Sequence, residues 1–266
     1  MSSFRTCNWW AWNSVSTLFI SDLHLTGTRP AVTELFLEFL RNEAINAEAL
    51  YILGDFFEYW IGDEAIHRPD HEPIIMALNQ LRSTGTPIYV MRGNRDFLMG
   101  NDFENASGCD LIADPCVIDL YGRKALLTHG DYLCTDDVAY QEFREMVRQR
   151  SWQREFLKKS VEERDAIAQQ YRSVSKEISA SKEPDIMDIN QQTLRQEMQK
   201  YGVNLVIHGH THRPGVHQFT LNGVDAKRIV LGDWFDHGSM LVVDKDSMNL
   251  LNVESRSREA RSAKFS

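Results

Sequence analysis

Side chains that bind metal ions follow five short apolar segments of this 266-residue chain. Asp22 and His24 come after the segment TLFIS (17–21), and Asp55 comes after ALYIL (49–53). The other three segments, PIYVM, KALLT and VNLVI, precede Asn94, His129, and the pair His208 and His210. Carboxylate, imidazole and amide groups are donors that divalent transition metals accept in proteins. Metal-assisted chemistry is therefore the first function to consider.

The five sets of side chains are expected to meet at one place in the fold. Loops at the carboxyl ends of strands form a shared crevice in open α/β sheets. Buried carboxylates and imidazoles are costly unless they are paired or bound to a metal. Gly54, Gly93, Gly130 and Gly209 stand beside the candidate ligands, where the backbone must turn sharply. The pattern predicts a metal site and is hard to explain by core packing.

The donor types limit which metals are expected. None of the four cysteines forms a C-x-x-C pair, which argues against a zinc ribbon or a dithiol redox motif. Mixed oxygen and imidazole donors suit Mn²⁺, Fe²⁺ or Zn²⁺. The candidate ligands exceed what one ion needs. Two ions about 3.5–4 Å apart, bridged by one carboxylate, form the arrangement that phosphatases and nucleases use.

Helical and extended patterns alternate along the chain. Residues 31–44 and 74–85 carry apolar side chains at helical spacing, and Gly85 marks the expected end of the second helix. Besides the five strands above, RIVL (228–231) and SMLVV (239–243) are typical of strands. This alternation predicts an α/β fold built from layers of sheet and helix (α+β layered).

One segment, about 138–183, is helical in composition and differs from its surroundings. Residues 138–182 hold ten Lys and Arg against seven Asp and Glu, although the whole chain has a net charge of −9. The segment also carries aromatic and aliphatic side chains, and it lies between two strands that end in candidate ligands. We interpret it as a helical cap over the site; the alternative is an ordinary solvated helical hairpin.

The terminal segments and the composition argue against a secreted protein, a membrane-spanning protein and a general nucleic-acid binder. Residues 1–16 predict a flexible extension without the features of a secretory signal, and residues 254–266 a flexible polar tail, which leaves 17–253 as one domain with its cap. No apolar run reaches the length of a membrane span. An acidic chain with a pI of about 5.5 is not expected to bind nucleic acid generally.

The motifs D-x-H, G-D, G-N-x-D, H-G-D and G-H-x-H occur in this order over about 18–215. The chain thereby resembles the calcineurin-like metallophosphoesterases. The resemblance implies a β-sandwich flanked by helices and two metal ions that Asp55 bridges. Carried onto this sequence, it assigns Asp22, His24, Asp55 and His210 to one ion, and Asp55, Asn94, His129 and His208 to the other.

A closer resemblance, over about 17–245, is to the bacterial UDP-2,3-diacylglucosamine diphosphatases of lipid A synthesis. It rests on LFISDLHL, ALYILGDFFEYWIGD, GNRDFL, HGDYLCTDD, IMDIN, IHGHTHRP and GDW. That family implies attack of water on the α-phosphorus, with UMP and 2,3-diacylglucosamine 1-phosphate as products. It also implies two Mn²⁺ ions and a cap that holds the acyl chains. The implied substrate contacts are Asn94, Arg95, Asp137, Ser175, Ser179, Lys182 and His208, of which Asn94, Arg95 and His208 are assigned to catalysis.

The same resemblance implies where the protein works. Its lipid substrate places it in the cytoplasm, peripherally attached to the cytoplasmic face of the inner membrane. No obligate protein partner is implied. Two rival functions remain: a phosphatase or phosphodiesterase for hydrophilic substrates, and a binding scaffold with an inactive site.

Arg95 departs from most of the superfamily, which has His at that position. Histidine can protonate a leaving alkoxide, whereas Arg stays protonated and cannot act as an acid. A phosphate leaving group has a second pKa near 6 and can depart as an anion, so it needs charge stabilisation more than a proton. Arg95 therefore favours a diphosphate substrate. The alternative is that Arg95 merely pairs with Asp96.

Overall fold

Two mixed β-sheets, packed face to face, carry the loops that hold the candidate ligands. The computed structural model describes residues 16–181, 186–235 and 237–254. The first sheet has the strand order β11-β10-β1-β2-β3-β4 and the second β5-β6-β7-β9-β8. The first sheet comprises β1 (Thr17–Ile20), β2 (Ala49–Leu53), β3 (Ile88–Met91), β4 (Asp110–Ile112), β10 (Gly238–Val243) and β11 (Met248–Val253). The second comprises β5 (Cys116–Leu120), β6 (Arg123–Thr128), β7 (Leu205–His208), β8 (Gly215–Leu221) and β9 (Val224–Val230).

Strand β1 shows how the layers are assembled. Alternate side chains of a strand point to opposite faces of the sheet. Phe19 joins a buried cluster that also contains Leu127 and Ile207 of the second sheet. Leu18 and Ile20 instead join the cluster that packs against helices. Because both faces of β1 are buried, its sequence is apolar throughout and does not alternate with polar residues.

Helices cover the outer face of each sheet. The helices α1 (Pro30–Asn42), α2 (Glu72–Ser83) and α3 (Asn101–Ser107) pack on the first sheet, and α7 (Gln191–Tyr201) packs on the second. A proline in the first turn of α1 and of α2 suits the helix start, where a missing N–H costs nothing. The layered fold class and the β-sandwich flanked by helices are confirmed.

Three further helices lie between β6 and α7, within the segment predicted as a cap. They are α4 (Val138–Arg148), α5 (Arg150–Leu157) and α6 (Val161–Ser181). Two ion pairs join α6 to the segment after β2: Arg164 with Glu64 at 2.8 Å and Asp165 with Arg68 at 2.5 Å. Apolar packing also joins the segment to the domain, since Phe156 of α5 belongs to the buried cluster of the first sheet, and Trp152 and Ile167 pack against that cluster.

The structure differs from the sequence expectation at several elements. The sequence pattern gave no sign of α3, α7, β4, β5, β8 or β11, because these are short or predominantly polar on one face. Strand β7 was expected at 203–207 but spans Leu205–His208. It pairs residue by residue with β6 and β9, and this pairing includes His208 with Thr128 and with Val230. His208 therefore ends a strand and does not belong to the loop after it.

Two further expectations concern the chain ends and the membrane. Most of the predicted extension and tail, residues 1–15 and 255–266, lies outside the described residues. None of the described helices combines the length and apolar content that a membrane crossing requires.

Candidate metal centre

The loops after β1, β2, β6 and β7 are hydrogen-bonded to one another through their backbones. The N–H of Asp22 donates to the carbonyl of Gly54 at 3.1 Å, and that of His24 donates to Asp55 at 3.0 Å. On the second sheet, the N–H of Gly209 donates to the carbonyl of His129 at 3.0 Å. A hydrogen bond of 2.8 Å from the N–H of His210 to Asp22 Oδ2 joins the two sheets. The predicted ligand loops thus meet at one edge of the sandwich.

One group of metal-binding atoms consists of Asp22, His24 and His212. The Nε2 atoms of His24 and His212 are 3.2 Å apart. His212 Nε2 lies 3.3 Å from Asp22 Oδ1, and its Nδ1 lies 3.1 Å from Asp233 Oδ2. Asp22 and His24 are fully buried, whereas the side chain of His212 is 26% exposed, so the group lies at the boundary between the buried loops and solvent.

A second group consists of Asp22, Asp55 and His129. His129 Nε2 lies 2.9 Å from the amide oxygen of Asn94 and 3.6 Å from Asp55 Oδ1. The other ring nitrogen, Nδ1, is 2.9 Å from the carbonyl oxygen of Leu53, to which it can only donate. The imidazole of His210 lies beside that of His129, with ring centroids 5.0 Å apart. Asn94 and His210 therefore extend this group.

Backbone strain is concentrated at these residues. Seven residues other than glycine have positive φ among those described, a conformation that costs an ordinary side chain about 1–3 kcal/mol. Five of the seven are candidate ligands: Asp22, His24, Asp55, His210 and His212. Strain of this kind persists only when the surroundings enforce it. Its placement indicates that these loops are shaped for the site.

Two glycines allow the loops to approach so closely. A Cβ atom on Gly93 would lie 2.2 Å from Asp55 Oδ1, and one on Gly209 would lie 2.3 Å from Asp22 Oδ2. Real Cβ atoms do not come this close to backbone or to buried carboxylates. Any larger residue at either position would push a candidate ligand out of the cluster.

The electrostatics of the cluster favour a bound cation. Burial opposes a charge on His129, but the carboxylates of Asp55 and Asp22 outweigh burial and raise its pKa to about 9. Burial likewise opposes a charge on His212, whereas Asp22 and Asp233 raise its pKa to about 10. Buried Asp22 Oδ1 and His24 Nδ1 have no hydrogen-bond partner. A divalent metal ion would bind these unpaired ligand atoms and neutralise the negative charge of the carboxylates. The residues present therefore fit such an ion.

The structure does not bring His208 into either group. Arg228 Nε–H donates to His208 Nε2 at 2.9 Å, and His208 Nδ1 donates to the carbonyl of Gly209 at 2.8 Å. Both ring nitrogens are thus engaged, and the side chain is fully buried. The structure therefore does not support the predictions of His208 as a metal ligand and as a substrate contact, because hydrogen bonds occupy both ring nitrogens and the ring is buried.

His212 is the residue that the sequence reasoning missed. The signal was present in the motif itself: G-H-x-H, started at Gly209, gives His210 and His212. Starting one histidine too early shifted the assignment by two residues. The segment IHGHTH contains two overlapping histidine pairs with the same spacing, so the spacing alone does not decide which pair binds metal.

Arg95 does not pair with Asp96 in the structure. Asp96 accepts hydrogen bonds from the backbone N–H groups of Gly93 and Phe56, at 2.7 Å each. Arg95 Nε lies 3.2 Å from Asp55 Oδ2, and its Nη1 donates to Glu58 Oε2 at 2.7 Å. This contradicts the alternative in which Arg95 serves only as a structural partner of Asp96.

Glu58, which the sequence analysis did not single out, connects Arg95 to the cap. Its second oxygen, Oε1, accepts hydrogen bonds from Nη2 and Nε of Arg172 on α6, at 2.6 and 3.0 Å. Two arginines thus meet at one carboxylate beside the metal-binding atoms. The signal in the sequence was the position of Glu58, three residues after Asp55 in the same loop.

The remaining predicted substrate contacts lie on or near the cap. Asp137 precedes α4 and accepts a hydrogen bond of 3.2 Å from the N–H of Tyr140 at its first turn. Ser175 is exposed on α6. Ser179 lies in the last turns of α6, where the side chains fall outside the description, and Lys182 is outside the described residues. The structure leaves these four assignments as predictions.

Comparison with known proteins decides the family. Residues 15–214 match the model of the calcineurin-like phosphoesterases. The chain belongs to this family.

Curated relatives named UDP-2,3-diacylglucosamine hydrolase match almost the whole chain, and they place it in their branch of the family. The relative from Vibrio vulnificus is 48% identical over 236 residues, which cover 89% of this chain and 97% of the relative. Relatives of that name from Marinobacter nauticus and Stenotrophomonas maltophilia are 48% and 46% identical, with 87% and 89% of this chain covered and 95% and 98% of theirs.

Proposed function

We propose that this metallophosphoesterase hydrolyses the diphosphate bond of UDP-2,3-diacylglucosamine, with attack of water on the α-phosphorus. The products are UMP and 2,3-diacylglucosamine 1-phosphate, and the reaction belongs to lipid A synthesis. The observation that carries the proposal is the pair of metal-binding groups that share Asp22 and lie next to Arg95. The name of the relatives, which match 87–90% of this chain, supplies the substrate.

Two Mn²⁺ ions are proposed for the centre. Asp22, His24, Asp55 and His212 would hold one ion, and Asp55, Asn94, His129 and His210 would hold the other. Ions at such a site supply an activated water and neutralise charge on the phosphoryl oxygens. The protein contributes the buried carboxylates and the strained loops that keep the donors converging before any ion binds.

Arg95 and Glu58 define the chemistry that the protein itself provides. The guanidinium of Arg95 can donate parallel hydrogen bonds to phosphate oxygens. Glu58 holds Nη1 of Arg95 and the head of Arg172 at the same place, which orients two cations next to the metal-binding atoms. The leaving group is a phosphate, so these cations stabilise charge and no general acid is required.

The cap helices supply the surface that a lipid substrate would need. Val138, Met146, Leu157, Tyr171 and Val174 are apolar side chains on α4, α5 and α6 that remain at least 40% exposed. Large exposed apolar patches commonly mark binding surfaces, and each of the three cap helices contributes exposed apolar side chains. A phosphatase for hydrophilic substrates would have no use for them. We assign this surface to the acyl chains.

Mass spectrometry of the products in ¹⁸O-labelled water tests the proposed function. UDP-2,3-diacylglucosamine with Mn²⁺ should yield UMP that carries the label, because water attacks the α-phosphorus. Label in the sugar phosphate would contradict that direction of attack. Faster hydrolysis of p-nitrophenyl phosphate or bis-p-nitrophenyl phosphate would favour the rival phosphatase or phosphodiesterase. No turnover of any of these substrates by metal-loaded protein would favour the inactive scaffold.

The ligand assignment predicts a difference between two neighbouring histidines. His212→Ala should lower the bound Mn²⁺ by one ion per chain, because it removes a donor that lies 3.3 Å from Asp22. His217→Ala is the matched control, since His217 is an exposed residue of strand β8 outside both groups. Elemental analysis after gel filtration measures the metal content. Full metal content in His212→Ala would refute the assignment.

The cap assignment predicts a strong dependence on the acyl chains. UDP-glucosamine, which lacks both chains, should have a kcat/KM lower by on the order of 10² or more than the diacyl substrate. The reason is that binding energy from remote parts of a substrate is used at the reacting centre. Steady-state assays with the two substrates under the same conditions measure the ratio. Equal kcat/KM values would show that the cap does not bind acyl chains.

Attachment to an anionic membrane surface is the second expectation for the cap. Lys158 and Lys159 are exposed at the end of α5, beside the exposed Leu157. Removing both lysines should weaken binding to vesicles with anionic lipid roughly 30-fold, at about 1 kcal/mol per residue. Lys124→Ala with Lys227→Ala is the matched control, because both are exposed lysines on strands β6 and β9 of the second sheet. Binding that withstands high salt in both double variants would contradict an electrostatic attachment.

A further inference from the structure

A chain of hydrogen bonds, partly exposed at Asp188 and buried at His208, runs from the segment after the cap to the loop that carries His210 and His212. Asp188 lies in the segment 186–190, which returns from the cap to α7. Its Oδ1 accepts a hydrogen bond of 2.8 Å from Arg228 Nη2, and Arg228 Nε donates to His208 Nε2 at 2.9 Å. Both Arg228 and His208 are almost completely buried.

This chain fixes the tautomer of His208. Arginine carries only donors, so His208 Nε2 must accept and cannot hold a proton. The ring proton of the neutral imidazole is then on Nδ1, which donates to the carbonyl of Gly209 at 2.8 Å. The direction of every hydrogen bond from Arg228 to the first peptide of the histidine loop is thereby determined.

Asp188 holds both ends of that loop. Through Arg228 it reaches His208, the residue that precedes the loop. Its other oxygen, Oδ2, lies 3.3 Å from Nη1 of Arg213, the residue that follows His212. The histidine loop, 209–212, therefore lies between two arginines, Arg228 and Arg213, that both pair with the carboxylate of Asp188.

His208 also packs between the two histidine-bearing loops. A Cβ atom on Gly130 would lie 2.9 Å from His208 Nδ1, so the ring of His208 lies directly against the loop that follows His129. The N–H of Gly209 donates to the carbonyl of His129. His210 and His212 both have positive φ, a strained conformation that needs support from neighbouring groups.

We infer that His208, Arg228 and Asp188 are positioning residues that hold His210 and His212 in their metal-binding geometry. They touch no candidate ligand donor atom and act through the backbone of the loop. The inference rests on the proposed role of His210 and His212 as ligands. The inference gives Asp188 of the motif IMDIN and Arg228 of strand β9 the role of holding the histidine loop in place. It also ties the end of the cap to the metal centre.

Mn²⁺ affinity tests the inference in the full-length protein. Groups that orient ligands typically contribute 10–100-fold in metal affinity or activity when they are removed. Arg228→Met and His208→Ala should each weaken Mn²⁺ binding by about that factor while two ions still bind at saturation. The double variant should be no worse than either single variant, since both remove the same connection. Arg123→Met, an exposed arginine at the start of β6, is the matched control and should bind like the parent.

Conservative variants separate positioning from simple packing. His208→Gln can keep an acceptor for Arg228, so it should recover most of the affinity that His208→Ala loses. Asp188→Asn keeps the shape of the side chain and should weaken Mn²⁺ binding in the same direction by less than Arg228→Met. KM for the substrate should stay near the parent value at saturating Mn²⁺, because no substrate contact is removed. If Arg228→Met fails to fold, His208→Gln and Asp188→Asn test the inference in its place.

Three outcomes would overturn the inference. Loss of one whole ion in His208→Ala, with parent affinity in Arg228→Met, would make His208 a ligand. Parent affinity in Arg228→Met and Asp188→Asn would leave the network without a role at the metal centre. ¹⁵N NMR of metal-free protein that showed His208 protonated at Nε2 would contradict the hydrogen-bond direction. A parent protein that binds no Mn²⁺ would refute the proposed function instead, and the NMR result would still decide the tautomer.

Discussion

Asp55→Ala should abolish turnover and lower Mn²⁺ binding at both positions of the centre. Asp55 Oδ1 lies 3.6 Å from His129 Nε2, and Oδ2 lies 3.9 Å from His24 Nδ1, so its carboxylate faces a member of each metal-binding group. The side chain is buried, and water cannot replace it easily. The loss of metal-derived stabilisation is worth several kcal/mol, or about three powers of ten or more in kcat/KM.

The measurement is metal content by elemental analysis together with kcat/KM on the diacyl substrate. Asp246→Ala is the matched control, because Asp246 is an exposed aspartate near the end of the chain, where it pairs loosely with Lys245 at 3.9 Å. Circular dichroism should show that both variants are folded. Two ions per chain in Asp55→Ala would mean that Asp55 does not bridge, and the proposed ligand division would fail.

Arg95→Ala should keep both ions and lose on the order of 10²–10³ in kcat, the usual effect of removing one preorganised charge-stabilising donor. The metals should stay because Arg95 opposes cation binding: its Nε lies 3.2 Å from Asp55 Oδ2. Arg95→Lys should recover little, since an ammonium cannot make two parallel hydrogen bonds. Arg95→His should improve as the pH falls toward about 6.5, where the imidazole becomes a cation.

A profile of kcat against pH for the three Arg95 variants, with metal content measured in parallel, checks this expectation. Arg82→Ala, which removes a half-exposed arginine paired with Asp110 at 3.6 Å, is the control for a generic loss of charge. If Arg95→Ala loses metal, Arg95 supports Asp55 and does not act on the substrate. If it retains normal kcat, the argument from the leaving group is wrong.

Much of the site could be predicted because ligand chemistry is local. A carboxylate, histidine or asparagine shortly after an apolar strand is visible in the sequence of each of the five loops, and four of the loops also have a glycine beside it. Parallel strands then bring their carboxyl ends to the same edge, so five local patterns imply one site. In this way Asp22, His24, Asp55, Asn94, His129 and His210 were placed correctly near one another. The order of the motifs was enough to indicate the family.

The histidines of IHGHTH show what the local sequence cannot predict. Periodicity gives the apolar run of β7, but it does not give the last residue of the strand. That residue is set by pairing with β6 and β9, which extends the strand through His208 and places its ring against Arg228. Arg228 is 20 residues away in the chain, so no pattern around His208 could show that its nitrogens are occupied.

The same reason explains Glu58. Its position three residues after Asp55 places it near the site, but it is one of 38 acidic residues and nothing beside it in the sequence identifies its arginine partners. Its role appears only when α6 packs across the site and brings Arg172, 114 residues away, to the oxygen opposite the one that holds Arg95. By itself, the sequence determined the fold class, the ligand types and the loops that carry them, because these depend on short segments. The choice among neighbouring histidines and the partners of the arginines were decided only by the tertiary structure, because they depend on strand register and on contacts between distant segments.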